Sequence, residues 1–392
     1  MKILVVCQYY YPEPFRITDI CEEMVKRGHD VSVITGIPNY PKGFYYDGYG
    51  VKEKRDEVIN GVKIHRCFTV ERKSGAIRRF LNYYSFAASS KKYVKKLKEE
   101  FDVVFVYQLS PVMMADAAIA YKKKFGKKIV LYCLDMWPES LVAGGIKRNS
   151  FIYRHYKKVS EKVYRQADSI LVTSKSFSDY FSEVFGINNV GYLPQYAEGL
   201  FSVKDCKKTP DGYIDLMFAG NIGVMQSVKT IIEAAALTKD EQKLRWHIVG
   251  DGSEYDNVRE MAKDLPNVFF HGKKPLAEMP RYYAMADAML ITMGKDPIIS
   301  YTLPGKTQSY MAAGKPIIGA VDGETSAVIK EADCGYCGEA ENAVMLADNV
   351  KKFIALADKE KLSVNAFNYY RNNFSKDKFF DELFETFGDV KG

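Results

Sequence analysis

The chain has 392 residues, of which 47% are hydrophobic and 27% are charged. This composition is typical of globular proteins, so it excludes a disulfide-stapled mini-protein, a wholly disordered chain and a collagen-like or coiled-coil architecture. At about 100 to 200 residues per domain, the length predicts two domains. The net charge of +7 is uneven, because residues 1–200 carry 32 Lys and Arg against 21 Asp and Glu, whereas the remainder carries 24 against 28.

The first apolar run, Ile3–Cys7, is too short for a signal peptide or a membrane span, and no later run reaches the length of a span. Seven scattered cysteines are typical of reduced thiols in a cytosolic protein. We therefore expect a cytoplasmic protein without membrane-spanning segments.

The first half alternates strand and helix patterns. Short β-branched runs predict parallel strands buried on both faces; they are Ile3–Cys7, Val31–Thr35, Val103–Tyr107, Ile129–Cys133 and Ser169–Thr173. Amphipathic patterns predict helices between them, at Ile17–Arg27, Tyr83–Glu100, Met113–Lys124 and Ile152–Gln166. This alternation predicts a doubly wound α/β sheet.

The pattern pauses at Tyr192–Tyr196 and restarts after the polar stretch Lys204–Gly212. The second series of strand-like runs is Asp215–Ala219, Arg245–Val249, Val268–His271, Ala288–Thr292 and Pro316–Ile318. The chain is thus predicted to form two Rossmann-like domains, 1–196 and 197–373. Because open parallel sheets bind ligands at the carboxyl ends of their strands, we expect a ligand cleft that both domains face.

Two segments of the second half carry phosphate-binding chemistry. Gly220, Asn221 and Gly223 follow the first strand and precede a helix, although a turn that needs glycine only for its shape explains them equally. Lys306 begins a helix after the turn at Pro304, and a lysine there opposes the helix dipole unless an anion lies between them. Lys306 is therefore a candidate phosphate ligand.

Five motifs in this order resemble the family 4 glycosyltransferases, in the bacterial polysaccharide branch that contains the colanic-acid and fucosamine transferases. The motifs are YYPE, RGHDVSVITGIPNYPKG, DMWPES, GNIG followed by Gln226, and LPGKTQSYMAAGKP. The resemblance implies a GT-B fold, a nucleotide-sugar donor held by the second domain, an acceptor held by the first, retention of anomeric configuration and no required metal or other cofactor. It also implies that residues 374–392, with the amphipathic pattern Lys376–Phe387, return to the first domain.

The donor-site residues implied by the resemblance are Gly220, Asn221, Gly223, Gln226, His271, Gly272, Ser300, Tyr301, Pro304, Lys306 and Ser309. Many relatives carry two glutamates in the last motif, and alignment on Met311–Gly314 places these positions at Tyr301 and Ser309, neither of which is acidic. It likewise places Asn221 and Gln226 where many relatives have an arginine and a lysine. Lys306 would then supply the charge for the diphosphate, and the backbone N–H groups of 220–223 would help it. A uracil base would suit main-chain contacts near Gly272, whereas His271 fits a buried strand equally well.

In the first domain, Asp135 follows the fourth strand beside Trp137, where it could accept a proton from a sugar hydroxyl or simply cap a helix. Glu13 and Arg16 follow the first strand and are candidates for contact with donor phosphate or acceptor. Asn39 and Tyr40 are acceptor-side candidates, with a plain turn as the alternative. The predicted catalytic residues are Asp135, Glu13 and Lys306, and the predicted acceptor residues are Arg16, Asn39, Tyr40 and Trp137.

The sequence gives little support to a metal site or to an ATP-binding P-loop. The five histidines have no metal-ligand spacing, and the pattern Cys334–Cys337 lacks a second pair, so we interpret it as a structural turn. No aspartates flank a single residue as in metal-dependent transferases, and no P-loop is present. The remaining alternatives are a non-catalytic binder of nucleotide sugars or nucleic acid, and a GT-B sugar-nucleotide epimerase.

The segment 72–98 combines nine Lys and Arg residues with apolar and aromatic ones, among them Phe80, Leu81, Tyr83, Tyr84 and Phe86. Such a mixture is typical of a segment that binds an anionic membrane surface, but a solvated basic helix explains it as well. Nucleic acid is the lesser partner, because no recognised nucleic-acid module accompanies the charge. With the resemblance, the sequence predicts transfer of a sugar, for example an N-acetylated hexosamine or fucosamine, from a UDP-sugar to a polyprenyl-diphosphate-linked glycan for O-antigen or capsule, at the inner face of the cell membrane.

Overall fold

Short apolar runs form two mainly parallel sheets in the computed structural model, which describes residues 1–391. The first compact unit comprises Met1–Thr173, Ser178–Tyr192 and the chain from Glu382 onward; the second comprises Ser174–Phe177 and Leu193–Asp381. The predicted boundaries at 196 and 374 lie near these divisions.

The first unit contains a sheet with the strand order β3-β4-β2-β1-β5-β6-β7-β8. Its strands are β1 (Lys2–Val6), β2 (Asp30–Gly36), β3 (Asp56–Ile59), β4 (Val62–Cys67), β5 (Val103–Gln108), β6 (Ile129–Cys133), β7 (Ser169–Val172) and β8 (Val190–Tyr192). Neighbouring strands are parallel except β3 and β4. Every residue of β5 and β6 is buried, as expected of strands covered on both faces.

The second unit contains a parallel sheet with the order β11-β10-β9-β12-β13-β14. Its strands are β9 (Ile214–Ala219), β10 (Leu244–Val249), β11 (Val268–Gly272), β12 (Ala288–Thr292), β13 (Ile317–Ala320) and β14 (Gly335–Gly338). β9 lies between β10 and β12, so the strand order reverses there. Ligands in open sheets bind at such a reversal.

Helices connect the strands. Those before residue 186 are α1 (Ile17–Lys26), α2 (Ala76–Lys96), α3 (Asp116–Phe125), α4 (Glu139–Ala143), α5 (Phe151–Tyr164) and α6 (Lys175–Phe185). The later ones are α7 (Lys229–Leu237), α8 (Tyr255–Met261), α9 (Met279–Tyr283), α10 (Pro297–Ser300), α11 (Gly305–Ala312), α12 (Gly323–Glu331), α13 (Ala343–Ala355), α14 (Glu360–Asn373) and α15 (Lys376–Lys391). None of the described helices is long and apolar enough to span a bilayer.

The structure corrects the sequence analysis at several places. The Cys334–Cys337 segment is not a turn, because residues from Gly335 onward form β14 and pair with β13. β3 and β4 were not predicted, since charged residues interrupt their apolar runs. The predicted helix 83–100 begins seven residues earlier and ends at Lys96.

The last helix, α15, contributes to both units. Its residues up to Asp381 belong to the second unit, where Phe379 lies 5.0 Å from Tyr196 between ring centroids. Residues from Glu382 onward belong to the first, where the ring of Phe387 is fully buried 5.6 Å from Phe105. The apolar stripe of this helix is thus buried in two different cores.

We expect Phe387→Ala to lower the free energy of unfolding by about 3 to 5 kcal/mol, the usual cost of removing a buried phenyl ring. Phe151→Ala is the matched control, because Phe151 is 78% exposed, and its effect should stay within about 0.5 kcal/mol. Urea unfolding followed by circular dichroism measures both. Equal midpoints for the two variants would mean that the end of α15 is not docked.

Candidate functional site

A pocket of about 670 Å³ lies at the carboxyl ends of β9, β10 and β11 in the second unit; we call it the second-unit pocket. Its lining residues are Glu198, Phe201, Ala219, Gly220, Asn221, Val249, Gly250, Asp251, Gly252, Lys273, Lys274, Leu276, Met279, Tyr283, Gly305, Lys306 and Ser309. Four of the predicted donor residues are among them: Gly220, Asn221, Lys306 and Ser309.

Lys306 lies in the first turn of α11, and its Nζ atom is buried although part of the residue reaches solvent. Within the described residues this Nζ has no hydrogen-bond partner, and it lies 3.9 Å from the centroid of the Phe218 ring. Burial lowers the pKa of Lys306 to about 7. An ammonium without a counter-ion at a helix N-terminus is the electrostatic arrangement that an anion stabilises.

Glycines bring the ends of β9 and β10 into direct backbone contact. A Cβ on Gly250 would lie 1.8 Å from the Gly220 carbonyl oxygen, and one on Gly220 would lie 2.7 Å from Lys306 Nζ. Both glycines have positive φ, 149° at Gly220 and 146° at Gly250. Side chains here would fill the space beside the ammonium.

The backbone N–H groups of 220–223, predicted to bind phosphate, are largely used within the protein. The Gly220 N–H donates to Val249 O at 2.9 Å, and the Ile222 N–H donates to Asp251 O at 2.9 Å. The Gly223 N–H donates to Gln226 Oε1 at 3.2 Å. The sequence could not show that these N–H groups are occupied, because the carbonyl acceptors Val249 and Asp251 lie at the end of β10 and just after it, far along the chain from residues 220–223.

Gln226 lies outside the pocket lining and makes hydrogen bonds within the loop that follows β9. Its Oε1 also accepts from Asn221 Nδ2 at 3.0 Å, and its carbonyl accepts from Thr292 Oγ1 at 2.7 Å. Gln226 therefore fixes the loop that carries Asn221 and Gly223.

Glu198 is a pocket residue that the sequence analysis missed. Its Oε2 accepts a hydrogen bond from Ser309 Oγ at 2.9 Å, so a carboxylate lies beside the position where many relatives were expected to have one. It comes from a segment 111 residues earlier in the chain, and no spacing rule connects the two.

The other predicted donor residues lie outside this lining. The His271 ring contacts His247, with Nε2 and Nδ1 2.9 Å apart, and burial lowers the pKa of His271. Ser300 Oγ donates to Pro297 O at 2.7 Å, and the carbonyl of Tyr301 accepts from Ser174 Oγ. Gly272 is the last residue of β11, and Pro304 directly precedes α11.

A second pocket, of about 320 Å³, lies in the first unit; we call it the first-unit pocket. It is lined by Tyr9, Phe15, Tyr40, Arg72, Ala76, Arg79, Phe80, Tyr83, Leu109, Ser110, Asp135, Trp137, Ser140, Leu141, Gly144 and Ile146. Six aromatic rings, two arginines and one carboxylate thus share one small cavity. The structure brings the predicted residues Tyr40, Asp135 and Trp137 together here.

Asp135 follows β6 and is held by one serine. Its Oδ2 accepts from the Ser110 N–H at 3.0 Å and from Ser110 Oγ at 2.9 Å, and Trp137 Nε1 donates to the same Oγ at 2.9 Å. Burial raises the pKa of Asp135 above its ordinary value. A raised pKa makes a carboxylate a better proton acceptor.

Glu13 holds the main chain instead of lining the pocket. Its carboxylate accepts from the N–H groups of Tyr10, Asn39 and Tyr40 at 3.1, 2.8 and 2.7 Å, and burial raises its pKa to about 7. All three donors lie in loops after strands, so we assign Glu13 a positioning role in place of the predicted catalytic one.

The predicted residues Asn39 and Arg16 also lie outside the lining of the first-unit pocket. Asn39 is buried, and its Oδ1 accepts from the main-chain N–H of Arg72 at 3.3 Å and from Asn82 Nδ2 at 3.1 Å. Arg16 directly precedes α1.

Comparisons with known proteins match both halves of the chain. Residues 16–194 match the model of "Glycosyltransferase Family 4", and residues 204–369 match that of "Glycosyl transferases group 1". WbjE of Pseudomonas aeruginosa, named as a probable glycosyltransferase, is 29% identical over 57% of this chain and 58% of its own length. The chain thus spans less than two thirds of that relative. WcaI of Escherichia coli, whose name refers to colanic acid biosynthesis, is 25% identical over 80% of this chain and 82% of its own.

Among solved structures, Anabaena HepE in complex with UDP superimposes with a TM-score of 0.73 at 14% identity, covering 99% of this chain and 100% of that one. At this identity the likeness concerns the fold alone. Both units have the Rossmann-like parallel sheets of the GT-B fold that the sequence analysis predicted, and this prediction is confirmed.

Proposed function

Because this chain belongs to the family 4 glycosyltransferases, we propose that it transfers a sugar from a UDP-sugar to a polyprenyl-diphosphate-linked glycan, with retention of anomeric configuration and without a metal ion. The observation that carries the proposal is the buried, unpartnered ammonium of Lys306. A buried charge without a counter-ion is costly, and an anionic ligand offsets this cost and keeps the amine protonated. The donor diphosphate is that ligand.

The second-unit pocket suits a nucleoside diphosphate sugar. HepE has been solved with UDP and with UDP-glucose, which supports uridine as the nucleoside. Lys306 and the N-terminus of α11 would stabilise the negative charge that develops on the leaving diphosphate, as a metal ion does in other enzymes. Glu198, beside Ser309, would accept hydrogen bonds from hydroxyl groups of the ribose or the sugar.

In the first-unit pocket Asp135 would orient the attacking hydroxyl and accept its proton. Aromatic rings such as Tyr40 and Trp137 would pack against the apolar faces of the acceptor sugar. The name of WcaI supports a glycan of a bacterial surface polysaccharide as the acceptor class. We further propose that the transferred sugar is an N-acetylated hexosamine or fucosamine and that the product is part of an O-antigen or a capsule.

We also propose that the first unit binds the anionic inner face of the cell membrane, which would make this a cytoplasmic peripheral protein. Tyr83 and Phe86 are buried and are not available to a membrane. The apolar residues that α2 exposes are Ile77, Leu81 and Tyr84. Helix α5 lies beside α2, since Tyr84 and Tyr156 share a hydrogen bond of 2.7 Å.

The exposed residues of α5 extend this surface. Phe151 and Ile77 are each 78% exposed, and the cations Arg78 and Arg154 are exposed beside them on the same two helices. Exposed rings and branched side chains flanked by cations suit the headgroup region of anionic bilayers.

UDP binding should take up a proton at pH 8. The pKa of Lys306 is about 7 in the free protein, and a bound diphosphate raises it, so the affinity for UDP should fall as the pH rises above about 7. Calorimetry in two buffers of different ionisation enthalpy measures the proton. Lys306→Ala should abolish the uptake and weaken binding about tenfold to hundredfold, whereas Lys361→Ala, on an exposed face of α14, should change neither. Unchanged proton uptake in Lys306→Ala would contradict this role.

Transfer is tested with a panel of UDP-sugars and a polyprenyl-diphosphate-linked glycan, in the presence of EDTA. We expect UDP release with at least one donor and a product with the donor's anomeric configuration, read by NMR. Glu198→Gln should raise the KM for the donor about tenfold, and the exposed Glu260→Gln should not. UDP binding without turnover of any donor would instead indicate a non-catalytic nucleotide-sugar binder.

Membrane binding is tested by co-sedimentation with vesicles. We expect binding to vesicles with anionic lipid, not to neutral ones, and weakening by salt. Ile77→Ser with Phe151→Ser, or Arg78→Glu with Arg154→Glu, should abolish it. The control pair Val344→Ser and Val364→Ser removes exposed apolar side chains from the second unit and should have no effect. Equal recovery in the supernatant with both vesicle types would refute the membrane proposal alone.

A further inference from the structure

Arg72 is a cation without a counter-ion in the first-unit pocket. It lies in the loop between β4 and α2 and is partly buried. Within residues 1–391 no carboxylate lies within ion-pair distance of it, and of its five side-chain N–H donors one is paired, through Nη1, with the Tyr9 hydroxyl at 2.8 Å. The remaining N–H donors of Arg72 have no partner among the described residues.

The protein holds this guanidinium in a fixed place. Its carbon lies 5.2 Å from the ring centroid of Tyr40 and 5.7 Å from that of Tyr83, and its own main-chain N–H donates to Asn39 Oδ1. Tyr9, its partner, is buried. Three tyrosines and one asparagine therefore orient a charge that no acidic side chain of the described residues neutralises.

A second arginine points to the same chemistry. Arg79 of α2 lines this pocket, and within the described chain it too has no carboxylate partner. The single acid of the lining, Asp135, is hydrogen-bonded to Ser110. Two cations against one carboxylate leave the cavity with a net positive charge.

We propose that Arg72 and Arg79 bind an oxyanion of the acceptor, so that the enzyme acts on an acidic acceptor. This inference rests on the proposed function, in which the first-unit pocket receives the acceptor. Guanidinium groups bind phosphate and carboxylate through paired N–H donors. The oxyanion is a phosphate of the lipid diphosphate or the carboxylate of an acidic sugar, with the aromatic rings packed on the neighbouring apolar part.

Direct binding tests the inference without requiring turnover. Trp137 lines the pocket, and the second tryptophan, Trp246, is buried in the core of the second unit, so a Trp246→Phe background makes the fluorescence report on the pocket. The probes are farnesyl diphosphate, glucuronic acid and, as the neutral reference, glucose. We expect one of the acidic probes to bind at least tenfold more tightly than glucose, and which of the two does so identifies the source of the oxyanion.

Substitutions distinguish binding of the probe in the pocket from its attraction to positive charge elsewhere on the surface. Arg72→Gln and Arg79→Gln should each weaken binding of the acidic probe about tenfold and leave glucose binding unchanged, whereas Lys123→Gln, at an exposed position of α3 in the same unit and outside the lining, should have no effect. Arg79 is exposed, so its variant keeps the test valid if Arg72→Gln does not fold.

Two results would overturn the inference. One is equal affinity for acidic and neutral probes, and the other is equal weakening by Lys123→Gln and Arg79→Gln. Hydrolysis of a UDP-sugar without acceptor distinguishes the two proposals: turnover with no acidic preference rejects the oxyanion site and keeps the transferase, whereas acidic binding without turnover of any donor rejects the transferase and keeps the site.

Discussion

The backbone contact between the ends of β9 and β10 is the constraint on which the second-unit pocket depends. Gly220 and Gly250 approach so closely that any side chain on Gly250 would overlap the Gly220 carbonyl. This contact uses N–H groups of the loop internally, and it leaves beside Gly220 the space into which the Lys306 ammonium projects. Positive charge in this pocket consequently comes from lysine side chains and a helix terminus more than from a ring of loop amides.

Both pockets share an electrostatic design. Each holds a cation with unsatisfied donors, Lys306 in one unit and Arg72 in the other. The chain neutralises buried charges elsewhere: Asp215, for example, contacts Arg245, Lys208 and His247, and these contacts hold its pKa well below the ordinary value. Leaving the Lys306 ammonium buried without a counter-ion costs stability, and an anionic ligand offsets this cost when it binds.

Carboxylates in this structure divide between positioning and chemistry according to what surrounds them. Glu13 accepts hydrogen bonds from three main-chain N–H groups, so its carboxylate holds the loops that carry Tyr10 and Tyr40. Within the part of the chain that the structure describes, the Asp135 side chain accepts hydrogen bonds only from Ser110, and it lines a cavity. Both residues are carboxylates in segments that follow strands, and their hydrogen bonds and their position relative to the cavity separate their roles.

The amino-acid sequence was enough to predict the two mainly parallel sheets, a helix that begins beside Lys306 and the position of Asp135 after a strand, because buried strands and helix termini leave local patterns of apolar, glycine and proline residues. It did not determine β14, whose Gly-Tyr-Cys-Gly composition carries no strand signal until β13 pairs with it. The meeting of Glu198 with Ser309 and of Arg72 with Tyr9 was decided by the tertiary structure alone. These pairs are distant in sequence, and whether a charge is neutralised or left for a ligand depends on which distant side chains the fold brings within hydrogen-bond distance.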